Sequence, residues 1–147
     1  MCMKFIRVES MEQLEACLVI RREVFVSEQQ VLLEEEFDDF DHTPESCHHV
    51  LIEIDGDYAG AARWRAYDSS TAKLQRIAVR KKYRGQGLGR VLVLGMEDQA
   101  HDAGYEYAVL DAQCQAEKFY QKLGYETLPI EPFYDAGILH VRMAKAL

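Results

Sequence analysis

The feature that most restricts this chain is the stretch RIAVRKKYRGQGLGRVLVL, Arg76 to Leu94. An apolar run gives way to basic residues, then to glycines at 85, 87 and 89, then to an apolar segment of helical period. That succession predicts a strand, a tight turn and a helix in immediate sequence. A glycine-rich turn lets successive backbone N–H groups converge on an anion, and the helix behind it adds unpaired N–H groups and a positive dipole end. Lys81, Lys82, Arg84 and Arg90 supply cationic charge. The spacing excludes the dinucleotide fingerprint, whose third glycine falls where Arg90 stands, and no Lys-Ser/Thr pair follows to make a nucleotide-hydrolase phosphate loop. On the glycines alone, a pyrophosphate nest and a plain flexible turn are equally consistent.

The periodicities on either side define the fold class. Lys4 to Glu9 alternates like a strand, and Ser10 with Gln13 forms a capping box before a helix carrying Leu14, Cys17, Leu18, Arg21, Arg22 and Phe25. An acidic loop with a helical turn at VLLEEEF follows. HHVLIEI and YAGAARWRAY flank the hairpin signal Asp55-Gly56-Asp57, and AKLQRIAV reads as a third strand of the same antiparallel set. A helix from Leu88 should stop at Gly104, the buried-type strand YEYAVLDA comes next, and a short helix should end at Gly124. Alternation in YETLPIEPF and GILHVRMAKA closes the sheet. The expected architecture is mixed α/β, a central twisted mixed sheet of six to seven strands flanked by helices, one domain over residues 1–147.

Composition narrows the function classes. A net charge of −8 argues against general nucleic-acid binding. No apolar run approaches a membrane span and no leader pattern is visible, so a cytoplasmic protein without membrane contact is expected. Cys2, Cys17, Cys47 and Cys114 lack metal or redox spacing and read as free thiols. His48 and His49 are adjacent and face opposite sides of a strand, and a calcium loop at Asp39 fails at Pro44 and Val50. No metal site is expected.

Two motifs carry a resemblance. Arg84-x-x-Gly87-x-Gly89, after a strand ending RIAV and before an apolar helix, resembles the acetyl-CoA signature of the Gcn5-related N-acetyltransferase (GNAT) superfamily. LDAQCQAEKFYQKLGY, Leu110 to Tyr125, is similar to that superfamily's second motif at the right distance. The resemblance implies acetyl-CoA as cofactor. Its pantetheine arm would pair with the backbone of Ile77, Ala78 and Val79, and its pyrophosphate would rest on the N–H groups of Gly85, Gln86, Gly87, Leu88, Gly89 and Arg90, with Arg84 at the start of the loop. Gln113 stands where Asn is common and is expected to contact the cofactor arm. Tyr120 matches the superfamily tyrosine that protonates the departing thiolate. The central strand reads Lys73-Leu74-Gln75-Arg76, without the Glu many relatives use as base, leaving a water chain or a carboxylate of the acidic segment for that role.

The acidic half is particular as well. RREVFVSEQQVLLEEEFDDFD resembles a branch of small acetyltransferases and, more distantly, the acyl-homoserine lactone synthases of the same fold, although Val31 replaces an expected Trp. Arg21, Phe25, Glu28, Glu36, Asp38, Asp41, Arg63 and Arg76 are candidate acceptor-side residues. The carboxylates either build an ion network with Arg21, Arg63 and Arg76 or bind a cationic amine directly. The expected activity is acetyl transfer to the primary amine of a small molecule or peptide. A non-catalytic acyl-CoA-binding module is the alternative, and both a monomer and a homodimer are compatible with the chain.

Overall fold

The computed structural model describes residues 2–147. The strands are β1 (Met3–Arg7), β2 (His48–Ile54), β3 (Asp57–Ala66), β4 (Thr71–Val79), β5 (Tyr107–Gln113), β6 (Glu126–Thr127), β7 (Phe133–Asp135) and β8 (Ile138–Ala146). The helices are α1 (Met11–Arg21), α2 (Leu33–Glu36), α3 (Leu88–Asp102) and α4 (Glu117–Lys122). One sheet runs β1-β2-β3-β4-β5-β8-β6, with β7 also paired to β8. Only β4 and β5 are parallel. Eight strands therefore stand where six to seven were expected. The additional ones are two and three residues long, too short to show alternation, and Pro129 and Pro132 break the segment between them.

Apolar residues appear on both faces of the central strands because helices cover both. Leu88, Leu92, Val93, Met96 and Ala100 of α3 pack on Val50, Ile52, Trp64, Leu74, Leu110 and Met143. Leu14, Cys17 and Ile20 of α1 pack with Leu51, Ala61 and Ala78 on the other face. Alanines at 61 and 78 let α1 lie close to the sheet. Ser10 caps α1 through its hydroxyl, which accepts from the Gln13 N–H at 3.2 Å, while the Gln13 side chain accepts from Glu9 N–H at 2.8 Å. Past Arg21 the chain does not continue as α-helix to Phe25. Arg22–Glu28 widens into a π-helical segment, which shifts the register of everything after it. Cys17 and Cys47 are buried thiols, pushed up to about 12 and about 11 by loss of solvent, as packing cysteines should be.

Candidate active site

The site begins with a register fact. β4 and β5 pair only from Thr71–Leu74 against Tyr107–Leu110, while β4 stays paired to β3 as far as Val79. Beyond Leu74 the parallel strands separate, and no strand pairs with the outer edge of β4. Arg80 N–H donates to Ala59 C=O at 2.9 Å, so strand alternation turns the polar groups of Val79 and Ile77 outward and those of Ala78 toward β3. Of the three residues expected to pair with a pantetheine arm, Ile77 and Val79 therefore turn polar groups to the open edge, where Arg84 already engages the Val79 C=O, and Ala78 is 1% exposed beneath α1. At the head of the free edge β4 bulges. Two residues, Arg76 and Ile77, lie opposite Ala62 alone, and Arg76 adopts φ 57°, a left-handed conformation for a side-chain-bearing residue.

After β4 the glycine turn has the conformation its sequence suggests. Gly85 and Gly87 have φ 81° and 80°, and a Cβ at either would meet open space, so they serve backbone direction rather than packing. Gly89 differs: its helical position lies where a Cβ would be 3.3 Å from the Phe119 ring of α4. Backbone N–H groups of Gly85, Gln86 and Gly87 have no backbone acceptor among the described residues, and those of Leu88, Gly89 and Arg90 open α3. The Leu88 side chain itself is buried in the core. Arg84 is engaged: Nε donates to Val79 C=O at 3.0 Å, and Nη2 lies 2.5 and 2.8 Å from the Glu28 carboxylate. Glu28 thus touches the glycine turn and not the acceptor side. A free strand edge, an open nest and adjacent cations together fit the pantetheine and pyrophosphate of an acyl-CoA.

The separated strands open into a cleft of about 300 Å³. Phe25 of the π-helical segment and Gln29 just after it form one wall, Glu36 and Arg76 another, and Asp111 and Tyr120 the side of β5 and α4. Gln113 bridges the cleft end, its Nε2 donating to Gln29 Oε1 at 2.7 Å. Tyr120 is 9% exposed, and burial holds its phenol protonated, at about 12.

Most acidic-segment candidates converge, but beside the cleft rather than in it. Arg21 donates from Nε to Glu36 at 2.9 Å and from Nη1 and Nη2 to Asp41 at 2.6 and 3.0 Å. Arg63 donates from Nη1 to both Asp38 and Asp41 at 2.8 Å, and from Nη2 to Asp38 at 2.8 Å. Arg76 joins through Glu36 at 3.3 Å and Asp38 at 3.8 Å. Three guanidiniums balance three carboxylates, and Arg21 and Arg63 are 0% and 1% exposed. Burial raises the Asp41 carboxyl, but the hydrogen bonds and charges of Arg21 and Arg63 outweigh it and hold it at about 2. For Glu36 burial wins, and its carboxyl is raised despite Arg76 and Arg21. Of the eight candidates, Phe25, Glu36 and Arg76 line the cleft; Arg21, Arg63, Asp38 and Asp41 complete the network, in which Glu36 of α2 meets Arg76 of β4 and the turn after α2 meets Arg63 of β3.

Sequence reasoning missed three groups on the cleft floor. Lys73 and Asp111 pair at 3.3 Å, and Asp111 also accepts from Arg142 Nε at 2.8 Å. His140 on β8 stands opposite Gln113 in register and also lines the cleft. Asp111 falls within the second motif but at none of its signature positions, and Lys73 and His140 lie in no motif; only the sheet register brings the three to one face.

These features define a class: an α/β acyl-CoA transferase with a splayed parallel strand pair. Residues 8–147 match the acetyltransferase (GNAT) domain family, and the chain belongs to it. It is similar to YjcF of Bacillus subtilis (strain 168), an uncharacterised N-acetyltransferase, at 41% identity over 97% of this chain and 99% of that one. Among solved structures, a Lactobacillus plantarum protein assigned as an N-acetyltransferase superposes with TM-score 0.89 at 27% identity, covering 100% of this chain and 99% of that chain. The PaiA N-acetyltransferase of Thermoplasma acidophilum, solved in complex with coenzyme A, shares the fold at TM-score 0.74 and 18% identity, over the full length of both chains. No helix among the described residues is long and apolar enough to cross a membrane.

Proposed function

We propose that this acyltransferase moves an acetyl group from acetyl-CoA to a primary amine by direct transfer within the cleft between β4 and β5. The observation that carries the reading is the free edge of β4, which lies between an open glycine nest and a buried, protonated Tyr120. Acetyl-CoA supplies a thioester whose carbonyl carbon accepts the amine and whose sulfur departs.

The chain's own groups divide the remaining work. Ile77 and Val79 hold the arm by strand addition, and the outward Ile77 N–H is a donor for a thioester carbonyl. Gly85 to Arg90 present N–H groups to the pyrophosphate. Arg84 reaches the same anion once it leaves Glu28. Tyr120 stays a proton donor at neutral pH and serves the leaving sulfur. Glu36 offers a second handle: Arg21 and Arg76 engage its Oε2, and its Oε1 has no partner among the described residues. That oxygen is placed to receive an ammonium group. The fixed Oε2 explains why the acidic segment serves as structural network and substrate contact at once.

Calorimetry with acetyl-CoA followed by thiol release against a panel of amines tests the reading. Tyr120→Phe should retain cofactor affinity and lose about 10²-fold or more in turnover, the usual size of a general-acid contribution. Binding of acetyl-CoA without amine-dependent thiol release would mark a binding module instead, and no binding at millimolar cofactor would remove both.

A further inference from the structure

The central strand of this chain carries no carboxylate, and the fold supplies a substitute from the opposite side of the cleft. We propose that His140 Nε2 is the general base that deprotonates the acceptor amine, an inference that rests on the transferase reading above.

Geometry fixes the tautomer. His140 Nδ1 lies 2.6 Å from Ile138 C=O, and a carbonyl only accepts, so the proton sits on Nδ1. Nε2 then carries the lone pair. It has no hydrogen-bond partner among the described residues, and it is not among the buried unpaired atoms, which are His49 Nδ1 and Arg65 Nε. The ring is held by stacking on Phe133, with centroids 6.1 Å apart and planes 20° apart, and the residue is 9% exposed. The Nδ1 bond and the stack orient the imidazole, and orientation of this kind distinguishes a base from a solvated histidine.

Register places it on the reacting side. Gln113 pairs with His140 and Asp111 with Arg142, so these four side chains share one face of β5 and β8. His140 and Glu36 both line the cleft that Tyr120 enters. The other candidates are less suited. Glu36 has its Oε2 held by two guanidiniums and only Oε1 open, a geometry that suits it to anchor the ammonium. Asp111 is paired with Lys73 and Arg142. His140 Nε2 has no charged partner among the described residues.

The proton balance closes. An acceptor ammonium loses two protons on becoming an amide. His140 Nε2 takes the first and passes it to water. The freed nitrogen lone pair forms the bond to the acetyl carbonyl carbon, the carbon–sulfur bond breaks, and its electron pair leaves on sulfur. Tyr120 gives that sulfur its phenolic proton and recovers the second N–H proton from the nitrogen.

The decisive variant is His140→Asn, whose side-chain amide can keep the bond to Ile138 C=O while removing Nε2. Thiol release from acetyl-CoA would be followed with 2-phenylethylamine, 1,4-diaminobutane and Nα-acetyl-lysine. With the amine that the wild type uses, His140→Asn should lose about 10²-fold in kcat with acetyl-CoA affinity and melting temperature unchanged. His140→Ala should lose as much and regain at least tenfold when imidazole is added. Imidazole ¹⁵N resonances of the wild type, assigned by difference from His140→Asn, should show Nδ1 protonated and Nε2 bare. An activity change below threefold in His140→Asn, loss in His140→Ala without imidazole rescue, or a protonated Nε2 in neutral His140 would each overturn the base while leaving the transferase intact. Wild-type protein that binds acetyl-CoA and releases no thiol with any amine overturns the transferase reading and the base together.

Discussion

Replacing Asp41 by Asn tests the ion network at its centre. Asp41 accepts from Arg21 at 2.6 and 3.0 Å, from Arg63 at 2.8 Å and from the Asp38 N–H at 3.1 Å. The surrounding charges balance three against three, so the neutral amide leaves one uncompensated positive charge beside two guanidiniums that are almost fully buried. Its NH₂ group also points a donor at a donor. Breaking a buried pair in this way costs roughly 3–5 kcal/mol. A chain of 147 residues unfolds with an entropy near 0.3 kcal/mol/K, from about 2.1 cal/mol/K per residue, so the melting temperature should fall by roughly 10–15 °C. Thermal unfolding followed by circular dichroism reads this directly. Asp39→Asn is the control: that side chain is fully exposed and should change stability by no more than about 0.5 kcal/mol. If Asp41→Asn melts within about 3 °C of wild type, the network contributes little and the argument from burial fails.

The same carboxylate sets an acid limit. Its folded pKa, about 2, is depressed from an ordinary 3.8, so its stabilisation is present above pH 4 and disappears as pH falls from 4 toward 2; acid titration of Asp41→Asn should show a shallower loss across that window than wild type. Gly87→Ala places a side chain at φ 80°, which costs about 1–2 kcal/mol and disturbs the nest, so calorimetry should show weaker acetyl-CoA binding along with a modest fall in melting temperature. Glu28→Gln releases Arg84 from its carboxylate partner and should tighten acetyl-CoA binding severalfold at low salt, with the gain shrinking as ionic strength rises. Tyr125→Phe removes the phenol that donates to buried Glu97 at 2.9 Å while Lys145 still pairs with that carboxylate, so chemical denaturation should show a loss of about 1–3 kcal/mol.

How much of this was legible beforehand differs from element to element. The hairpin at Asp55-Gly56 was, because a turn with φ 49° and 85° asks for those residue types locally. The turn at Ala136-Gly137 has the same form at φ 52° and 77°, yet Ala136 gives no such signal and the short β7 before it was lost. Arg21 and Asp41 were identified as candidates by resemblance, but whether they bind substrate or each other depended on which face of α1 and which turn of the acidic segment met. The widening of Arg22–Glu28 had no visible cue: nothing in REVFVSE distinguishes a π-helical turn from an α-helical one.

The sequence by itself determined the periodicities, the left-handed glycines at 85 and 87, the helix that follows them and the match of two motifs to one family, since each is written in residues a few positions apart. The tertiary structure alone decided that β4 and β5 part after Leu74, that Arg76 sits in a bulge, that three arginines close on three carboxylates, and that His140 faces the cleft. Those features arise from sheet register and helix docking between residues 12 to 40 positions apart. A slip of one residue in β8 would turn His140 to the other face of the sheet without changing a single letter around it.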